Sequence, residues 1–225
     1  MDGILVVDKP QGFTSHDVVD FMRKRFGLKK VGHAGTLDPM ATGVLVMLIG
    51  KCTSLSSSFM QDDKDYEGVM VLGATSDTGD GWGKIITSGK SPVIDEESIK
   101  KVFASFVGEI EQKPPMYAAV KVNGKKLYEL ARKGISIDVP PRKIVIKRLD
   151  VISIETPKIR FSVSCSKGTY VRQLAVDIGE RLGCGAYLSE LKRTRSGKFF
   201  ISEAALIDEL RAIPAEELER RLLFP

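Results

Sequence analysis

Short apolar runs with strand-like patterning and amphipathic helical stripes follow one another along this chain without strict alternation. That arrangement disfavours a doubly wound parallel sheet and points to α+β, or a mixed sheet with helices packed on it. Gly3 to Val7 is an apolar run that ends in Asp8-Lys9-Pro10-Gln11-Gly12, a strand entering a turn. Ser15 is positioned to cap a helix whose apolar residues Val18, Val19, Met22 and Phe26 recur at helical spacing. Residues Gly32 to Gly43 have no period and read as a long ordered loop, after which Val44 to Ile49 resumes as a buried strand or helix start.

Further along, Tyr66 to Leu72 reads as a strand and Asp77 to Gly81 as a turn. Gly83 to Pro92 reads as a surface connection, and Asp95 opens a helix with Ile99, Val102, Phe103 and Phe106 on one face. A short helix is expected from Lys126 to Arg132, and strands at Ile144 to Ile154 and Ile159 to Cys165. Val171, Leu174, Ala175, Ile178 and Leu182 form a helical stripe closed by Gly183. A last helix runs from Pro214 through Leu223. There is no internal repeat, and residues from about 90 to 140 read as an elaboration of a single domain.

Charge and cysteine content narrow the class. The net charge of +5 suits a polyanionic partner without establishing one. Two basic clusters, Arg23-Lys24-Arg25 with Lys29 and Lys30, and Lys192-Arg193 with Arg195 and Lys198, are candidate phosphate contacts. Three cysteines without CxxC spacing argue against a disulfide framework or zinc knuckle and fit a reducing compartment. The N-terminus lacks a secretory pattern and the longest apolar run is too short to span a bilayer, so the cytoplasm is the expected location.

Three local patterns are decoys. Gly50-Lys51-Cys52-Thr53 lacks the first glycine of a phosphate-binding loop, because position 45 is Leu. Asp77-Thr78-Gly79 occurs once, whereas aspartic-protease chemistry needs two carboxylates sharing a proton. His16 and His33 have no neighbours at metal-ligand spacing, so no metal is expected.

The segment Gly32-His33-Ala34-Gly35-Thr36-Leu37-Asp38-Pro39-Met40-Ala41-Thr42-Gly43 is the most unusual in the chain. Its one carboxylate, Asp38, sits in a loop beside a proline that restricts its backbone. Taken alone, Leu37-Asp38-Pro39 could be an ordinary turn. The whole segment resembles the catalytic motif of the TruB-type pseudouridine synthases, which modify uridine-55 of tRNA. Gly3 to Ser15 resembles the family's first motif, Lys64-Asp65-Tyr66 its Lys-x-Tyr motif, and Asp77 to Gly81 the block that follows. Gln112 to Lys121, Gly124 to Gly134 and Cys165-Ser166-Lys167-Gly168-Thr169-Tyr170-Val171-Arg172 resemble further blocks. Two departures stand out: Ala118 replaces the usual Ser, and the chain stops at Pro225 without the PUA domain typical of bacterial members.

The resemblance implies a pseudouridine synthase fold, with a mixed, mainly antiparallel central sheet flanked by helices and loops. It implies an isomerase that breaks the N1–C1′ bond of a flipped-out uridine in the T arm of tRNA and rejoins the base through C5. Such a reaction needs no redox step, so no cofactor is expected. Asp38 is the implied nucleophile; an ionised carboxylate serves attack at C6, attack at C1′ and assistance to elimination to a glycal alike. Arg172 would orient that carboxylate and oppose the rise in pKa that burial causes. Tyr66 would stack on the flipped uracil, with its hydroxyl near the sugar or base, and Tyr170 and Leu191 would line the pocket. His33 would insert into the T loop. Lys9 and Asp80 are weaker candidates for RNA contact or site support. The expected working form is a monomer acting without a protein partner or membrane. A non-catalytic RNA-binding module and a guide-RNA-dependent relative are the competing readings.

Overall fold

The computed structural model describes residues 1–87, 94–118, 120–122, 124–131, 133–135 and 137–224. Its strands make a large, mainly antiparallel mixed sheet, with helices flanking it. The chain divides into two compact units: Met1–Glu67 with Leu191–Pro225, and Gly68–Glu190.

The first unit is organised around the strand Thr42–Ile49, whose residues after Thr42 are all buried. A continuous apolar run of this kind suits a strand covered on both faces. Gly3–Lys9 pairs antiparallel along its whole length, from Gly3 opposite Ile49 to Lys9 opposite Gly43. The other edge is shared. Val31–Ala34 takes the far end antiparallel, with Ala34 opposite Val46. Ala186–Ser196 takes the near end parallel, with Arg193 opposite Gly43. Because that place on the edge is occupied, residues 35–41 cannot continue the pairing begun by Val31–Ala34 and leave the sheet as a loop. The expected loop over 32–43 is therefore shorter than the sequence suggests, since both of its ends are strands.

Ile4, Val6, Ala34, Val44, Val46, Leu48, Cys52 and Phe199 form the core on one side, with Phe59 meeting Phe199 edge to face at 5.6 Å. The helix Ser15–Phe26 buries Val18, Val19, Met22 and Phe26, as its spacing predicts. Its cap is not Ser15. Thr14 accepts from the Asp17 N–H and Asp17 accepts from the Thr14 N–H, a reciprocal box that leaves the Ser15 hydroxyl available elsewhere. The last helix is shorter than expected, Ala215–Arg220, because Leu223 exchanges two 2.8 Å hydrogen bonds with Ile4 instead of continuing it.

In the second unit, Arg142–Glu155 pairs antiparallel with Lys158–Cys165 on one edge and Gly108–Gln112 on the other. The helix Glu96–Ala104 is capped by Asp95, which accepts from the Ser98 N–H at 2.8 Å. It buries Ile99 and Phe103, the latter edge to face with Phe161 at 6.1 Å. The helix Val171–Arg181 buries Val171, Leu174, Ala175 and Ile178, while Leu182 beyond it is half-buried. The expected helix near Lys126 is Leu127–Ala131; Arg132 lies outside the described residues. The proposed surface connection at Gly83 to Pro92 contains a strand, Ile85–Thr87, exposed throughout, and its end lies outside the described residues.

Two features escape a periodicity reading. The strand Ala186–Ser196 buries Ala186, Leu188, Leu191, Arg193 and Ser196, so its alternation slips between Leu188 and Leu191 and then places an arginine inside. The strand Gly108–Gln112 carries two glutamates among its five residues and is recognised only by its pairing.

Candidate active site

Asp38 lies in the loop 35–41 of the first unit, half-buried, between two buried residues, Leu37 and Met40, that flank it and Pro39. Three contacts fix this stretch. The Ser15 hydroxyl accepts from the Leu37 N–H at 2.9 Å and donates to the Leu37 carbonyl at 3.2 Å. The Gly12 N–H donates to the Pro39 carbonyl at 2.9 Å, and the Ala41 N–H closes a turn on the Asp38 carbonyl at 3.0 Å. Pro39, second in that turn, supplies the required φ and cannot donate a competing N–H. The residues before and after Asp38 are thus tied to the helix N-terminus and the Pro10–Gly12 turn.

Lys9 is fully buried, and its ammonium donates to the carbonyls of Pro10 (2.9 Å) and Phe13 (2.6 Å). Burial lowers its pKa to about 8; the charge of Asp38 works in the opposite direction, and Arg193 adds to the lowering. Lys9 is therefore an internal brace of the first turn with Asp38 within its electrostatic reach, a place suited to supporting a site rather than touching a phosphate. His33, on the strand Val31–Ala34, is half-buried, and its pKa is lowered first by burial and then by Arg193 and His16. Its buried Nδ1 has no hydrogen-bond partner among the described residues. Tyr66 is half-buried on the strand Lys64–Leu72, next to Asp65, which holds Arg195 in a bidentate pair at 2.6 and 2.8 Å. Leu191 is buried on Ala186–Ser196.

The second unit carries Asp80, Tyr170 and Arg172. Asp80 is 6% exposed and Arg172 is 4% exposed. One Asp80 oxygen accepts from the Thr78 hydroxyl at 2.8 Å and the Trp82 N–H at 3.0 Å; the other accepts from Arg172 at 3.4 Å. Arg172 also donates to the carbonyls of Thr78 (2.9 Å) and Tyr117 (3.0 Å). A cation in the first turn of a helix opposes the helix dipole, so these acceptors offset an unfavourable placement as well as desolvation. Tyr170 precedes the helix, and its backbone N–H and carbonyl both bond the buried Gln112 side chain, at 2.8 and 3.1 Å. Tyr170 packs against the buried cluster of Ala118, Leu127 and Val139.

Sequence reasoning missed Ser15, Gln112, Arg193 and the Asp80–Arg172 pair as parts of these arrangements. The Thr14-x-x-Asp17 box was the available signal for Ser15, since a helix already capped releases the next hydroxyl. The basic clusters also need correction. Arg193 is 1% exposed and donates to the carbonyls of Gly35 and Val44. Arg195 is held by Asp65, Arg23 donates to the Val31 carbonyl, and Arg25 to those of Arg211 and Ile213. Arg193, buried, cannot serve as a phosphate contact, whereas Arg23, Lys24, Lys29, Lys30, Lys192 and Lys198 remain exposed. Among the described residues no cluster of His, Cys, Asp and Glu could hold a metal ion, and no helix is long and apolar enough to cross a membrane.

Residues 23–171 match the model of the TruB family pseudouridylate synthase N-terminal domain, and residues 172–225 that of the tRNA pseudouridylate synthase B C-terminal domain. The tRNA pseudouridine synthase B of Syntrophotalea carbinolica is 48% identical over 223 residues, 99% of this chain and 73% of that protein. That of Opitutus terrae is 44% identical over 99% of this chain and 92% of its own length. Among solved structures, a chain of a Cbf5-Nop10-Gar1 complex is 33% identical with a TM-score of 0.72, covering 92% of this chain and 54% of that one. A chain of an H/ACA RNP bound to a substrate RNA containing 2′-deoxyuridine is 29% identical with a TM-score of 0.72, covering 99% of this chain and 59% of that one. The chain thus spans between half and three-fifths of these two solved chains. Family models matched from residue 23 to residue 225, with close relatives along nearly the whole length, establish that this chain belongs to the TruB family of pseudouridylate synthases.

Proposed function

We propose that this chain converts uridine-55 in the T arm of tRNA to pseudouridine, with Asp38 as nucleophile. The observation that carries the reading is the fixation of the Asp38 loop. The peptide groups of Leu37 are both bonded by Ser15, and the Pro39 carbonyl by Gly12, while the carboxylate between them remains half-exposed. Ordering a loop this way has an entropic cost, and a carboxylate held in one place is what nucleophilic catalysis requires. The target base must leave its stack, at a cost of a few kcal/mol, before it meets that carboxylate.

Tyr66 stacks on the extruded uracil, and Arg172 and Tyr170 complete the catalytic machinery of the second unit, with Asp80 and Thr78 holding the guanidinium in place. Leu191 forms an apolar wall and His33, neutral near pH 7, engages the T loop. Lys9 braces the loop electrostatically. The exposed lysines at 24, 29, 30, 192 and 198 contact phosphates, giving affinity with strong salt dependence and little base specificity. The 225 residues act as one catalytic domain, a cytoplasmic monomer that needs no protein partner and no guide RNA.

Tritium release from bare, C5-tritiated tRNA transcript tests the proposal. The wild-type chain releases tritium without other components, and Asp38→Asn abolishes release while tRNA binding persists. Binding without release by the wild type would favour an RNA-binding module. Release only with added protein and guide RNA would favour a particle-borne enzyme like those whose structures resemble it.

A further inference from the structure

Among the described residues Arg193 is the largest fully buried side chain, and its burial rules out the phosphate contact expected of it. Its Nε donates to the Val44 carbonyl at 2.7 Å and its Nη2 to the Gly35 carbonyl at 2.9 Å. Those two carbonyls stand on either side of the Asp38 loop. The backbone of Arg193 meets the same place, opposite Gly43 in the parallel ladder. Two glycines make this approach possible. Gly43, at φ +100°, would place a Cβ 2.2 Å from the Arg193 carbonyl oxygen, and Gly35, at φ +89°, would place one 3.4 Å from Nη1. No carboxylate pairs with Arg193 among the described residues. A buried, unpaired guanidinium is expensive, and an apolar side chain would fill the space more cheaply if packing were its only task.

We propose that Arg193 is the positioning residue of the Asp38 loop: its guanidinium joins the two ends of 35–44 and so fixes where the carboxylate stands. The rigid planar fork suits it, because one group reaches two carbonyls with fixed spacing, which a lysine ammonium on a flexible stem does not. Its charge also reaches Lys9 and His33, both of whose pKa values it lowers, so it lies amid the groups surrounding the loop. This inference rests on the reading of Asp38 as nucleophile.

The test uses Arg193→Met and Arg193→Lys in the full chain, with three readouts: single-turnover tritium release, tRNA affinity by filter retention, and hydrogen exchange by peptide. The Met variant is expected to slow single-turnover release about 100-fold, the scale of a misplacement of roughly 1 Å. Affinity stays within about threefold, and exchange accelerates in 35–44 alone. The Lys variant, keeping the charge with one point of attachment, falls between; if the Met variant does not fold, Lys carries the test with a loss of about tenfold. A Met or, in that event, Lys variant with the wild-type rate overturns the clamp, as does affinity falling in step with rate, or exchange rising throughout the chain. Asp38→Asn in parallel separates the two ideas. Full activity of that variant sinks the nucleophile and not the clamp, whereas an inactive Asp38→Asn beside a fully active Arg193→Met sinks only the clamp.

Discussion

Replacing Ser15 by alanine removes two hydrogen bonds from one buried peptide pair and should do more damage than its place at a helix start suggests. The Leu37 N–H loses its acceptor at 2.9 Å and the Leu37 carbonyl its donor at 3.2 Å, in a place where Leu37 is buried and Ser15 is 2% exposed. Each buried polar group left unpaired costs about 1–3 kcal/mol. The carbonyl bond is long, so the two together should cost about 2–4 kcal/mol. The helix keeps its cap, because Thr14 and Asp17 supply it. Thr14→Ala is the matched control, expected to cost about 1 kcal/mol. Urea denaturation of both variants, with unchanged slope, reads the stabilities directly. Tritium release should fall at least tenfold in Ser15→Ala, since Leu37 adjoins Asp38, and hold in Thr14→Ala. Equal stability losses near 1 kcal/mol with both variants fully active would refute the argument and return Ser15 to the role of an ordinary helix-start residue.

Asp80→Asn removes the carboxylate that faces the buried Arg172 guanidinium and should destabilise the protein by about 3–5 kcal/mol, measurable as a lowered urea midpoint; an unchanged midpoint would mean the 3.4 Å pair contributes nothing. Lys9 predicts a pH effect of definite sign. Its native pKa of about 8 lies below the ordinary 10.5, so between these values the unfolded chain holds a proton that the native protein has lost. The penalty of the buried charge is full below about pH 8 and fades as pH rises toward 10.5, so this group makes stability increase with pH, by up to about 3 kcal/mol. Lys9→Met should flatten that rise between pH 7.5 and 9.5 in urea titrations, and an identical slope in both proteins would count against it.

What the sequence determined by itself was the set of elements whose signals are local. The Val18, Val19, Met22, Phe26 stripe and the Ile99, Phe103 pair are buried where their spacing puts them, because a helix turns its own periodic face to the core whatever it packs on. The ordered motifs around Asp38 and Arg172 likewise pointed to the TruB family without any coordinates. Tertiary structure decided everything that depends on which distant segment arrives where. Whether 32–43 is loop or strand turned on an edge shared between Val31–Ala34 and Ala186–Ser196. Arg193 reads as one more surface cation in a basic run until that pairing carries it inside, to the carbonyls at both ends of the loop. Asp80 and Arg172 are 92 residues apart, and Ser15 and Leu37 are 22 apart. Hydrogen bonds of that range leave no periodic trace, since polar side chains gain partners from the fold and not from their neighbours in the chain.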